Sequence, residues 1–183
     1  MMGLVKTEQQ ARERVATANH GGSSTPALIQ AVAAALMREA GVRRVLQHLN
    51  SRTRYRFTGI YHVEPPLLRN VCLFDRENPA LDCSGAVTRL DETNCSITSR
   101  TSAPFATANA QRDPRLRQHP ARDTVLCYSG VPIRLASGEA WGTLCHFDLR
   151  PRLMARSEIA VLEAVMPVIA QWISAGEAPL PLA

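Results

Sequence analysis

The sequence contains almost no lysine, since Lys6 is the only one, although the chain carries a formal net charge of +5 and has an isoelectric point near 9.3. The positive charge is therefore arginine. The arginines are scattered between Arg12 and Arg156. They occupy every second position in residues 52–56 and lie among acidic side chains in residues 112–123. Nucleic-acid-binding segments concentrate basic residues on one face or in one run. We therefore expect no nucleic-acid partner.

Paired cysteine motifs are also missing. The five cysteines form no CxxC pair, and their odd number fits neither a disulfide framework nor a zinc framework. The five histidines lack ligand spacing, so we predict no metal site. Reduced thiols are typical of a cytoplasmic protein.

Long apolar runs are absent as well. Gln30 and Glu163 interrupt the two most apolar stretches, which stay below the roughly 18 residues that a membrane span needs. Residues 1–10 have no apolar core like that of a signal peptide. The sequence therefore predicts a cytoplasmic protein without a membrane partner.

Catalytic signatures are absent from the chain: it has no GxSxG, P-loop, HExxH or GxGxxG motif. What it has is a globular composition, with 45% hydrophobic and 20% charged residues over 183 positions. This predicts one folded domain. We assign residues 1–24 to a mobile leader, 25–176 to the domain and 177–183 to a C-terminal tail.

Helical periodicity is found at both ends of the predicted domain. Thr25 and Pro26 are typical of a helix start and Gly41 of a helix end, and a second helix follows through Leu49. A long helix begins at Ser157, where Pro167 predicts a kink or a break.

Alternation with a period of two predicts strands between these helices. They cover residues 55–63, 67–75, 125–135 and 141–148, with a short strand at 104–108 inside an irregular segment, 76–124. Hairpins between helices favour an α+β fold with an antiparallel sheet.

Several short motifs occur in an order that resembles the GAF sensor domain family. They are Asp91 to Cys95, Pro104-Phe105, Asn109 to Arg115, Tyr128 to Ile133, Gly138, Gly142 to Cys145, Asp148, Pro151-Arg152, and Glu158 with Leu162. The resemblance implies a central antiparallel sheet of five to six strands. It places the N- and C-terminal helices on one face and a ligand pocket on the other, under a roof formed by residues 91–123. It also implies a homodimer through the terminal helices.

The resemblance does not identify a ligand, because members of this family bind different molecules. The lysine of cyclic-nucleotide-binding members is missing here, and the Cys145-His146 pair lies in a predicted strand rather than in a pocket helix. The sequence therefore does not identify a cofactor. We interpret the chain as a non-enzymatic sensor that binds a small polar molecule or an anion and signals to a separate partner.

Ten residues are candidates for ligand binding under this interpretation. They are Cys95, Arg100, Asn109, Asp113, Arg115, His119, Tyr128, Ser129, Thr143 and Phe147. Each also has a structural explanation: Cys95 suits a core position, Asp113 suits a turn cap, and Tyr128 suits a core ring with its hydroxyl at the edge.

Two alternatives remain open. Free methionine-(R)-sulfoxide reductases are GAF proteins that use pocket cysteines, and Cys83, Cys95 and Cys127 occur in a comparable order. The acidic residues with which those enzymes hold the substrate are replaced here by Tyr128, Cys145 and Phe147. The second alternative is a protein-interaction module whose pocket is filled by its own side chains, such as Phe147 and Tyr128.

Overall fold

The computed structural model describes residues 25–153, 155 and 157–178. The predicted leader, 1–24, and most of the predicted tail lie outside the described residues. The helices are α1 (Pro26–Ser51), α2 (Cys95–Thr101) and α3 (Glu158–Ser174).

Helix α1 begins where the sequence predicts. The Thr25 hydroxyl accepts a hydrogen bond from the Leu28 amide at 3.4 Å, as expected of a cap. Gly41 interrupts the helix with a φ of 76°, a left-handed value that glycine adopts without strain. The two predicted helices are therefore the two halves of α1.

Six antiparallel strands form one sheet in the order β3-β2-β1-β6-β5-β4. They are β1 (Phe57–Glu64), β2 (Leu67–Asp75), β3 (Val87–Arg89), β4 (Phe105–Thr107), β5 (Cys127–Arg134) and β6 (Ala140–Asp148). The sheet confirms the predicted α+β fold. Strand β6 lies near its centre, paired with β1 and β5.

The two faces of the sheet bury different sets of side chains. On one face, α1 and α3 pack over a core that includes Leu46, Ile60, Leu144 and Ile169. On the other face, a smaller cluster forms around Leu68, Cys95, Phe105, Tyr128 and Cys145. The terminal helices thus cover one face and leave the other to the roof, as predicted.

Two details differ from the sequence predictions. Strand β3 was not predicted, because its three residues are all exposed and show no alternation. Helix α3 continues through Pro167, so of the predicted kink or break the break is absent. The roof contains α2, β4 and four short 3-10 turns.

Candidate functional site

A cavity of about 150 Å³ lies between the sheet and the roof. Its walls come from five strands of the sheet, from α2 with the residues before it, and from the chain that leads into β5. The lining residues are Tyr61, Leu68, Thr88, Thr93, Asn94, Cys95, Val125, Tyr128, Cys145 and Phe147. The cavity lies where the family resemblance predicts a ligand pocket.

Two glycines make room for the tyrosines of this face. A side chain at Gly130 would collide with the hydroxyl of Tyr128, and one at Gly59 would come within 2.8 Å of the Tyr61 ring. Both tyrosines therefore lie along their strands over a glycine.

The Cys95 sulfur is surrounded by hydrogen-bond donors. Thr143 Oγ1 donates to Cys95 Sγ at 3.2 Å, and Tyr128 Oη donates at 3.6 Å. Hydrogen bonding from the Cys145 thiol, followed by that from Thr143 and Tyr128, lowers the pKa of Cys95 below its ordinary value although the group is buried. The buried Cys95 thiol is therefore surrounded by polar groups that donate hydrogen bonds to it.

Asn94 precedes Cys95 and is 2% exposed. It occupies the cap position of α2, where an asparagine commonly accepts a backbone hydrogen bond, but its side chain makes no such bond. Neither Nδ2 nor Oδ1 has a partner among the described residues. An unsatisfied buried amide costs roughly 1–3 kcal/mol, so this side chain needs an explanation.

No arginine, lysine, aspartate or glutamate is among the described residues that line the cavity. The polar groups that it offers are the Asn94 amide, hydroxyls and two thiols. The site is therefore suited to an uncharged group rather than to an ion.

Three of the ten candidates, Cys95, Tyr128 and Phe147, line the cavity. Thr143 is fully buried and reaches it through Cys95.

The four roof candidates instead stabilise the roof. Asn109 and Asp113 accept backbone hydrogen bonds from the second residue after each. Arg115 binds Asp113 at 2.6 Å and donates to the Ala106 carbonyl at 2.7 Å. This matches the structural explanation for Asp113 given above.

His119 also holds the roof in place. Its Nδ1 accepts from the Ala121 amide at 3.2 Å, so the neutral ring carries its proton on Nε2. Nε2 lies 3.2 Å from Ser96 Oγ in α2. Burial and then the charge of Arg100 lower the pKa of His119, which keeps the ring neutral. Arg100 itself is exposed.

Ser129 does not lie beside the cavity. Successive residues of a strand point to opposite faces, and Tyr128 occupies the cavity face. Ser129 is fully buried on the helix side, where its register partner is His146. The predicted pairing of Tyr128 with Ser129 in one pocket was therefore wrong.

The three cysteines of the reductase hypothesis are not all cavity residues. Cys95 lines the cavity, but Cys127 contacts the Arg152 carbonyl at 3.8 Å and Cys83 lies in the loop between β2 and β3. Burial raises the pKa of both Cys83 and Cys127. No group of three potential metal ligands was found among the described residues.

Asn94, Tyr61 and Cys145 line the cavity but were not among the ten sequence candidates. Cys145 is 1% exposed although it lines the cavity. Asn94 had one available signal, since it directly precedes Cys95.

The sheet, its helix layer and the roofed cavity define an α+β domain with a cavity on the face opposite the terminal helices. The sequence matches the GAF domain family over residues 25–173. The chain therefore belongs to the GAF domain family. A sequence search among curated proteins gives no match.

Solved structures with this fold differ in function. Free methionine-R-sulfoxide reductase from Neisseria meningitidis, solved with its substrate, is 13% identical with a TM-score of 0.65, covering 86% of this chain and 95% of that one. The GAF domain of Acinetobacter phosphoenolpyruvate-protein phosphotransferase is 12% identical, with a TM-score of 0.62 and coverage of 85% and 99%. A putative GAF sensor from Burkholderia vietnamiensis is 15% identical, with a TM-score of 0.60 and coverage of 84% and 99%. At such identities the likeness establishes the fold alone.

Among the described residues, no helix is both long and apolar enough to cross a membrane.

Proposed function

We propose that this GAF domain is a non-enzymatic sensor that binds a small uncharged molecule beneath its roof, with the Asn94 side chain as the polar anchor. The observation that carries the proposal is the Asn94 amide, which is buried, lines the cavity and has no partner in the described chain. Buried polar groups in folded proteins almost always have a hydrogen-bond partner. A ligand is the partner that this position lacks.

The chemistry of asparagine restricts the ligand. Its amide offers one acceptor and two donors side by side, which complements a carboxamide, a lactam or a protonated carboxylic acid. Apolar side chains such as Leu68, Val125 and Phe147 form much of the remaining wall. The ligand therefore has one edge that both donates and accepts hydrogen bonds, and the rest of the molecule is apolar.

The cavity volume restricts the ligand further. A dry apolar cavity of about 150 Å³ is known to hold benzene, and this cavity has about the same volume. The ligand is accordingly a compact molecule of the size of one six-membered ring. The sequence interpretation also allowed an anion as the ligand. The described lining contains no cationic side chain to pair with an anion, so the proposal is limited to uncharged molecules.

Strand β6 connects the cavity on one face of the sheet with the terminal helices on the other face. Cys145 lies on the cavity face, and the next residue, His146, lies on the helix face. His146 Nε2 is 3.2 Å from Glu158 Oε1 at the start of α3, and its Nδ1 is 2.7 Å from Thr58 Oγ1. A ligand that orders the roof and shifts β6 would thereby change how α3 packs. A separate signalling protein, or a second copy of the chain bound through the terminal helices, would detect that change in the cytoplasm.

The two alternatives have less support. A zwitterionic substrate needs a carboxylate for its amino group, and the described lining has none. Only one of the three reductase cysteines lines the cavity. Phe147 and Tyr128 surround an open cavity rather than filling it, unlike in a collapsed interaction module.

The test is a thermal-shift screen of small amides, lactams, carboxylic acids and ring alcohols, with oxyanions and methionine sulfoxide as comparison sets. We expect an uncharged compound with adjacent donor and acceptor to raise the melting temperature of the wild type and not that of Asn94→Leu. If oxyanions alone stabilise the protein, or if thioredoxin-coupled turnover of methionine sulfoxide is observed, the proposal is wrong.

A further inference from the structure

Two of the five cysteines meet in the cavity. Cys95 is the first residue of α2 and Cys145 lies in the middle of β6. Both line the cavity and belong to the same buried cluster, and their mutual contact is the largest influence on the pKa of each. The other three are elsewhere: Cys72 is in the core under the helices, Cys83 in the β2–β3 loop and Cys127 beside Arg152.

Cys145 lies on the cavity face of the sheet. Its register neighbours are Gly59 on β1 and Gly130 on β5, and the side chains of Tyr61 and Tyr128 lie over these two glycines. Side chains at register-paired positions share one face of a sheet and normally cover one another. Because both register neighbours are glycines, the two tyrosine side chains flank Cys145, and Cys95 of the roof belongs to the same buried cluster.

The groups around the two sulfurs shift the pKa values of Cys95 and Cys145 in opposite directions. The Cys145 thiol, Thr143 Oγ1 and Tyr128 Oη all donate to Cys95, which lowers its pKa, whereas contact with Cys95 and burial raise the pKa of Cys145. Cys95 is therefore the first of the pair to become a thiolate, the form of cysteine that reacts with oxidants.

We propose that Cys95 and Cys145 form a peroxide-reactive dithiol, which closes to a disulfide inside the cavity. The co-reactant is hydrogen peroxide, a molecule not much larger than water, and the cavity of about 150 Å³ admits several water-sized molecules. The reaction needs no ligand at Asn94. It goes beyond the proposed sensing of a small molecule and can succeed or fail independently of it.

The chemistry proceeds in two steps. The Cys95 thiolate attacks one peroxide oxygen, the O–O bond breaks, and Cys95 becomes a sulfenic acid while the released hydroxide takes up a proton to become water. The Cys145 sulfur then attacks the Cys95 sulfur, the S–O bond breaks, and the hydroxide leaves with the Cys145 proton as a second water. Two thiols are oxidised and one peroxide is reduced to two waters.

The disulfide would link the roof to the central strand. Cys95 starts α2, and Cys145 precedes His146, which contacts α3 through Glu158. A covalent bond between α2 and β6 would replace the mobile contact of two thiols. Oxidation would thus join α2 to β6, which lie on opposite sides of the cavity.

The test is disulfide mapping of the folded protein. The chain is treated with hydrogen peroxide, its remaining thiols are alkylated, and the peptides are mapped without reduction. We expect a peptide pair joined through Cys95 and Cys145 that disappears on treatment with dithiothreitol. In Cys145→Ser we expect a sulfenic acid at Cys95, trapped by dimedone, and in Cys95→Ser neither product.

Cys72→Ser and Cys127→Ser are matched controls, because each removes a buried cysteine outside the cavity, and both should still form the bond. Mapping of the wild type decides the proposal even if a variant fails to fold. A disulfide between other cysteines, or unreacted Cys95 and Cys145 after peroxide treatment, would overturn it, and neither result bears on ligand binding at Asn94.

Discussion

Two buried asparagines differ in how their side chains are satisfied. Asn50 Nδ2 donates to Thr58 Oγ1 at 2.9 Å and to the Tyr55 carbonyl at 3.1 Å, and its Oδ1 accepts from Arg76 at 3.0 Å. Asn94 has no side-chain partner in the described chain. The first residue stabilises the ligand-free fold, whereas the second weakens it.

This contrast predicts opposite effects of one substitution. Asn50→Leu removes a satisfied network and should lower the free energy of unfolding by about 1–3 kcal/mol. Asn94→Leu removes an unsatisfied amide at similar volume and should leave that free energy unchanged or raise it. Urea denaturation without added ligand measures both. Equal destabilisation by the two variants would show that Asn94 has a partner within the protein.

The candidate site was predictable only in part from its residues. The motif order located Cys95 and Tyr128, since both belong to motifs that resemble the family, whereas alternation along the strand located Phe147. Ser129 was assigned to the wrong face because motif matching ignores the alternation along a strand. Asn94 was missed because an unsatisfied side chain is a property of its three-dimensional surroundings.

At the scale of elements, two glycines on neighbouring strands exclude a side chain for different reasons. A Cβ at Gly130 would collide with the movable side chain of Tyr128, whereas one at Gly142 would collide with the backbone carbonyl of Tyr61. Gly142 lies in β6 opposite His62 of β1. The second collision can be relieved only by separating paired strands.

We therefore expect Gly142→Ala to destabilise the protein more than Gly130→Ala. Overpacking typically costs about 1–3 kcal/mol, and the rigid site should lie at or above the upper end of that range. Thermal denaturation of the two variants gives the ranking. The reverse order would contradict the close approach of β1 and β6.

An ion pair between Arg115 and Asp113 stabilises the part of the roof around β4. Arg115 reaches Asp113 and the Ala106 carbonyl, and its guanidinium lies 4.7 Å from the centre of the Phe105 ring. The Arg115 hydrogen bonds, which outweigh burial, lower the pKa of Asp113 to about 2. A carboxylate with a lowered pKa stabilises the fold above its unfolded pKa and loses that contribution as the pH falls.

Asp113→Asn tests this contribution, since asparagine keeps the cap and removes the charge. We expect the variant to be less stable by about 1 kcal/mol near pH 7, a value reduced because Arg115 is largely exposed to solvent. The difference should shrink as the pH falls from about 4 to about 2. Urea denaturation at several pH values measures it, and a difference independent of pH would contradict the ion pair.

Most elements of the fold were predictable because their side chains alternate between core and solvent. Strand β2 begins and ends at the predicted residues, and the other long strands differ by one or two residues at most of their ends. Strand β3 was not predictable, because all three residues are exposed and show no alternation. Helix α3 tolerates Pro167 because packing under the sheet outweighs one lost hydrogen bond.

At the scale of the whole molecule, self-association through the terminal helices stays a prediction. A groove of about 430 Å³ lies on the outside of α1 and α3, lined in part by Met37, Val168 and Trp172. We expect a dimer in sedimentation analysis and its dissociation by Val168→Glu, because a carboxylate in an apolar contact is costly. Ser137→Glu, on the β5–β6 turn, is the control. A wild-type monomer would exclude this arrangement.

The most direct test of the ligand site is the side-chain amide NMR signal of Asn94, assigned by its absence from Asn94→Leu. Titration with the compound that stabilises the wild type should shift this signal strongly and leave that of Asn50 nearly unchanged, because Asn50 lies at the end of α1, on the other side of the sheet. An unmoved Asn94 signal, with a compound that nevertheless binds, would contradict the account.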